Sequence, residues 1–134
     1  ANHKKLIQDI QIEAAAPELH LNGTHPILVD NQNPVFSVFD KTKVLVNSFH
    51  HQAIAVSQGD KEYKITALSL DSPAIIEAIE FRNGLGHTFQ FHPELMHDLT
   101  GDKILRQFVK LTTKNKTFKG QDSCLHLFND LIAN

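Results

Sequence analysis

His87-Thr88-Phe89-Gln90-Phe91-His92-Pro93-Glu94 is the stretch whose reading decides this chain. It runs as a strand, His87 to Phe91, into a histidine and a glutamate one residue apart. An imidazole can take a proton from a thiol or hydroxyl, and a carboxylate on its other ring nitrogen fixes the tautomer and stabilises imidazolium. His92 and Glu94 therefore supply a base and its orienter. Pro93 stiffens the turn between them, and in extended backbone residues i and i+2 point the same way. The triplet alone is weak, since a surface turn after a strand satisfies it equally well. A nucleophile is missing: no GxCxG or GxSxG elbow occurs, and the single cysteine is Cys124. The chain reads as part of an enzyme.

Working outward, a second polar cluster, Asn47-Ser48-Phe49-His50-His51-Gln52, follows the apolar run Lys43 to Val46. Ligands of open α/β sheets bind beyond the carboxyl ends of strands, and both polar segments fall at such ends. His50, His51, His92 and Glu94 form a conceivable metal-ligand set, but HExxH and paired-cysteine spacings are absent, so neither a metal nor another cofactor is expected.

Composition excludes several functions. With 41% hydrophobic residues, 134 residues suffice for one core, and a net charge of -2 with scattered lysines and arginines gives no basic stripe for nucleic acid. No run approaches the roughly 18 apolar residues of a membrane span, and Ala1-Asn2-His3-Lys4-Lys5 lacks the apolar core of a signal peptide. A lone cysteine suits a reducing compartment, so a cytoplasmic location is expected. The absence of an initiator Met suits a chain that begins partway through a longer protein.

Periodicity predicts an opening helix over Lys4 to Glu13, ended at Ala14-Ala15-Ala16-Pro17. Strands are expected at Pro26–Val29, Lys43–Val46, Tyr63–Leu70 and Ile75–Phe81, with a turn or short helix at Pro34–Phe39 and a turn at Asp71-Ser72-Pro73. Ile104, Leu105, Phe108 and Leu111 share one face of a helix over Gly101–Leu111, with Thr100 as candidate N-cap. Asp98, Asp102 and Lys103 read as capping and solvated charges. Leu125, Phe128, Leu131 and Ile132 suggest a last helix after a polar loop. Strands cluster in the middle with little helix between them, as in a piece of a larger α/β sheet.

Taken in order, Val46-Asn47-Ser48-Phe49-His50-His51-Gln52-Ala53-Ile54, Ile76-Glu77-Ala78-Ile79-Glu80 and Gln90-Phe91-His92-Pro93-Glu94 resemble the C-terminal half of class I glutamine amidotransferases. The closest likeness is the gamma-glutamyl-gamma-aminobutyrate hydrolase branch, over roughly Lys5 to Leu111. Thr88 and Phe89 replace the small Gly-Val usual before Gln90, and Asp71-Ser72 stands where Asp-Gly is common.

The resemblance implies one partial domain over 1–134, the C-terminal part of a flavodoxin-like three-layer α/β sheet, with 112–134 as tail and final helix. It implies a cysteine that attacks a gamma-glutamyl amide, His92 as its base and Glu94 as orienter. His50 matches the family histidine near the substrate, with Ser48 and His51 in the same substrate-side segment. The nucleophile and oxyanion-hole glycines belong to an N-terminal half or second chain, which is the expected partner beside the gamma-glutamyl substrate. Cys124, in Asp122-Ser123-Cys124-Leu125-His126, lacks an elbow glycine and lies outside the likeness, so it reads as a structural thiol. Unpaired strand edges predict a homo-oligomer or element swap. The alternative is a catalytically incomplete binding or regulatory domain that retains the fold.

Overall fold

Buried and exposed positions alternate along β-strand segments at 24–29 and 43–46 and set the faces of the sheet there. The computed structural model describes residues 6–13, 20–54, 56, 61–70, 74–82 and 86–114. Its elements are β1 (Leu6–Ile7), α1 (Ile10–Glu13), β2 (Gly23–Val29), β3 (Lys43–Ser48), β4 (Ala53–Ile54), β5 (Tyr63–Ser69), β6 (Ile76–Phe81), β7 (His87–Phe89), a 3-10 turn (Pro93–Leu95) and α2 (Leu99–Lys114). In β2, His25, Ile27 and Val29 are buried while Thr24 and Leu28 face out; in β3, Val44 and Val46 are buried and Lys43 and Leu45 are exposed. That is the period of two that a half-buried strand requires.

Five strands pair in the order β3-β2-β5-β6-β7, every neighbour antiparallel, and β1 pairs with β4 in a separate two-stranded ribbon. The four expected strands are present, with β2 starting three residues earlier and β3 ending two later. The strand expected over His87–Phe91 ends at Phe89, and Gln90 and Phe91 are bends. In the segment expected as a turn or short helix, Pro34–Phe39, residues 34–38 are a run of turns.

The opening helix is corrected. Only Ile10–Glu13 is helical, because Leu6 and Ile7 pair with Ile54 and Ala53 instead of continuing a helical face. Ile10, Ala53 and Ile75 are buried together, with Ile7 packed on them. The apolar spacing was right, but tertiary pairing decided the backbone.

The main core gathers Ile27, Val29, Val44, Val46, Ala67 and Ala78 from the sheet, Val35 and Phe36 from the turns, Phe91, and Ile104 of α2. Full burial of Ile104 is worth about 2 kcal/mol. Phe108 and Leu111 are half-buried, but Leu105, one position off the stripe, is exposed. α2 also begins earlier than expected. The Asp98 carboxylate accepts from the N–H groups of Thr100 and Gly101 at 2.9 and 3.1 Å, so Asp98 caps the helix and Thr100 lies inside it. Residues 112–114 continue α2, while the expected last helix, Cys124 and the 71–73 turn lie outside the described residues. No helix of the described residues is long and apolar enough to cross a membrane.

Candidate active site

Antiparallel pairing brings the two polar segments to one end of the sheet. β3, β5 and β7 run one way and β2 and β6 the other, so the carboxyl ends of β3 and β7 meet the amino ends of β2 and β6. β3 and β7 are opposite edges of the order, yet the sheet is curled and the segments after them touch.

The contact is a clasp. Asn47, the penultimate residue of β3, donates from Nδ2 to the His92 carbonyl and accepts at Oδ1 from the His92 N–H, both at 2.8 Å. A buried amide that meets one backbone unit with both its donor and its acceptor fixes that unit in position and orientation. A second tie lies beside it: Gln90 donates from Nε2 to the Gln52 carbonyl at 3.2 Å, and its N–H donates to the Glu77 carbonyl at 2.8 Å.

Held in this way, His92 Nδ1 sits 2.8 Å from Glu94 Oε1. The backbone that joins them is not extended through the proline. Pro93–Leu95 forms a 3-10 turn, with the Leu95 N–H bonded to the His92 carbonyl at 3.0 Å, and this turn closes the pair. The hydrogen bond from His92 holds the Glu94 carboxyl below its usual range, so Glu94 is an acceptor at neutral pH. Nδ1 is therefore the donor of this contact, and Nε2 is the ring nitrogen left facing away from Glu94. Both side chains are partly open to solvent, at 44% and 58%, and the Phe49 ring meets the imidazole edge-on with centroids 6.2 Å apart.

The turn is also held from behind. A Cβ on Gly101 would collide with the Pro93 carbonyl and lie 2.7 Å from Met96 Cβ, so only glycine lets α2 approach this closely. Thr88 points outward, whereas Phe89 packs on Phe36 and Phe91, with ring centroids 6.1 and 5.3 Å away.

Near the exposed pair lies a more buried group. His50 turns inward: its N–H bonds the His20 carbonyl at 2.9 Å, Nδ1 faces the Gln52 carbonyl at 3.1 Å, and Nε2 lies 3.3 Å from His20 Nδ1. Ser48 is fully buried and donates to the His20 carbonyl at 3.0 Å. Burial pushes the His50 imidazole down to about 4, so it is neutral at pH 7. His51 is exposed, and its carbonyl accepts from the Ile10 N–H at 2.9 Å. Of the site residues read from sequence, His92 and Glu94 are in direct contact, Ser48 and His50 meet through His20, and His51 faces solvent.

Residues 3–94 match the model of the Peptidase C26 family. The chain belongs to this family, within the class I glutamine amidotransferases. Glutamine-hydrolysing GMP synthases of Lachnospira eligens and Clostridium novyi are 34% and 31% identical to this C26 chain over 89 and 94 residues. Those stretches are 66% and 70% of the chain but only 16% and 17% of the relatives' own lengths. Among solved structures, a GMP synthase-type protein of Thermoplasma acidophilum superposes with a TM-score of 0.64 at 18% identity, covering 84% of this chain and 50% of that one. The glutaminase domain of Trypanosoma brucei CTPS, with bound acivicin, gives 0.59 at 16%, covering 89% and 50%. The expected fold is thus present: an α/β portion of a flavodoxin-like glutamine amidotransferase domain. The family match ends at Glu94, whereas the resemblance read from sequence ran on to Leu111.

Three residues that hold this candidate site together escaped sequence reading. Asn47 had a signal, a polar residue closing an apolar strand, but nothing named its partner 45 residues away. Glu77 had one too, a carboxylate inside the apolar run Ile76-Glu77-Ala78-Ile79. His20, outside every strand, had none.

Proposed function

We propose that this chain is the C-terminal part of a Cys-His-Glu hydrolase acting on gamma-glutamyl amides, nearest the gamma-glutamyl-gamma-aminobutyrate hydrolase branch. The observation that carries the reading is the 2.8 Å His92–Glu94 contact, with Nε2 left as a base and the histidine backbone clasped by Asn47. His92 takes the proton of a cysteine thiol, the thiolate attacks the gamma-carbonyl carbon, and the amide nitrogen leaves with that proton from His92. Water then hydrolyses the thioester, with His92 again as base. Glu94 keeps the ring in the required tautomer throughout. Ser48, His50 and His51 form the substrate-side segment, Ser48 and His50 as its buried footing and His51 at its surface.

The nucleophile resides on an N-terminal half or a second chain, and 1–134 is one partial domain. Leu28 and Leu45, on adjacent strands at the β3 edge, are 44% and 57% exposed and suit contact with such a partner, or with a second copy in a homo-oligomer or element swap. A single cysteine suits a reducing compartment, the cytoplasm.

Intact mass measured under denaturing conditions on the assembly purified through this chain tests the reading. A second polypeptide with a glycine-flanked cysteine, or a longer parent chain, is expected. A single species of 15.1 kDa would contradict it.

A further inference from the structure

Three histidines and a glutamate from four separate segments converge beneath the His92–Glu94 pair. His20 precedes β2, His25 lies in β2, His50 follows β3 and Glu77 lies in β6. His20, His25 and Glu77 are buried and His50 is half-buried. One ligand atom from each lies within 4.8 Å of all the others. His20 Nδ1 is 3.3 Å from His50 Nε2 and 3.9 Å from Glu77 Oε1, and His25 Nε2 is 3.6 Å from the same oxygen. A tetrahedral zinc ion with bonds of about 2.0–2.1 Å has ligand-to-ligand edges of about 3.4 Å. The three edges therefore stand within about half an ångström of that figure.

We propose that His20, His25, His50 and Glu77 form a site for a tetrahedral divalent cation of the zinc type.

Three further observations fit it. His50 Nδ1 faces the Gln52 carbonyl, which puts the proton on Nδ1 and turns the lone pair of Nε2 toward the cluster, the outer contact that orients a metal-bound imidazole. Ser48 donates to the His20 carbonyl and fixes that residue's backbone. The His20 ring is tilted 50° against His25 and 66° against His50, with centroids at 4.1 and 5.0 Å, so the imidazoles converge from different directions instead of stacking flat. Three imidazoles and one carboxylate also match the donor preference of zinc over magnesium or calcium, which take oxygen. The four sequence positions span 20 to 77 and lack any short zinc spacing, so no motif announces the site. The ion would tie β2, β3 and β6 together at the end of the sheet where Asn47 clasps His92, acting as a structural staple outside the reacting centre.

The test is a titration of the chelator-treated, dialysed full chain with Co2+ and Zn2+. One equivalent of cobalt should bring up the intense visible bands of a tetrahedral site, zinc should displace it, and thermal unfolding should shift to higher temperature with either ion. Glu77→Gln and His25→Gln should abolish the bands, and His51→Gln, one residue away but outside the cluster, should keep them. If the buried variants fail to fold, His50→Gln, at a half-buried position, should bind at least about 100-fold more weakly than the native chain. Absence of stoichiometric cobalt binding by the native chain would overturn the proposal, leaving the cluster a hydrogen-bonded network. Weak octahedral spectra, or loss of binding on His51→Gln with retention in His50→Gln, would do so as well.

Discussion

Two histidine–glutamate arrangements stand at the same end of one sheet, and solvent separates their chemistry. His92 and Glu94 are two residues apart and partly open to water, so their hydrogen bond adds little to stability and is free to exchange protons. His20, His25 and Glu77 are distant in sequence and buried, with His50 half-buried beside them, where a missing partner is costly and the groups are held fixed. The exposed pair suits a reaction; the buried cluster suits the support of the floor beneath it.

Substitutions that remove one member of each arrangement should separate the two. Glu77→Ala should cost about 3 kcal/mol in urea unfolding, since it leaves buried imidazoles facing a void. A cost under about 0.5 kcal/mol would mean that the cluster is only passively packed. Asn47→Ala tests the link between the two regions. It removes both bonds to the His92 backbone and should cost about 2 kcal/mol, with a loss of activity in the full assembly beyond that expected from the unfolded fraction.

Gly101→Ala presses a methyl group into the Pro93 carbonyl and Met96, and overpacking of this kind costs about 1–2 kcal/mol. It should also disturb the His92 imidazole resonances in an NMR spectrum. Unchanged resonances would show that the turn yields without moving the pair.

Acid should reach the buried region first. The folded His50 value, about 4, lies below its ordinary 6.5, so the unfolded chain takes up the proton before the folded one does. In the metal-free chain, the contribution of this group is fully present above pH 6.5 and is lost as pH falls from there to about 4, with His20, His25, His92 and Glu77 as the groups around this ring. Glu94 is also depressed, and its contribution is present above its ordinary 4.5 and is lost only as pH falls through its lower folded value. Denaturation curves across this range should show the earlier decline disappear in His50→Gln. The smallest expected effect is that of Glu94→Gln on stability, within about 0.5 kcal/mol because water screens the pair.

What the sequence made legible follows the same division. The short apolar run at Lys43–Val46 and the β-branched and apolar residues of Tyr63–Leu70 marked strands because such runs, bounded by turn residues, are what buried strands leave in the chain itself. The HPE triplet was legible because its partners are two residues apart. Leu6, Ile7 and Ile10 misled, since their spacing fits a helix as well as a strand and a turn, and only pairing with Ala53 and Ile54 decides. The start of α2 was misplaced because Asp98 and Thr100 are both good caps, and the choice depends on where the chain leaves the Pro93–Leu95 turn. The buried cluster was invisible because strand order, not sequence spacing, brings His25 to Glu77.

The most direct test of the central reading is ammonia release from glutamine by the full assembly purified through this chain, native against His92→Ala, with the mass of the assembly checked in both. The account predicts an intact assembly whose turnover falls by at least about 100-fold when His92 is lost. An intact His92→Ala assembly that hydrolyses glutamine at the native rate would contradict it.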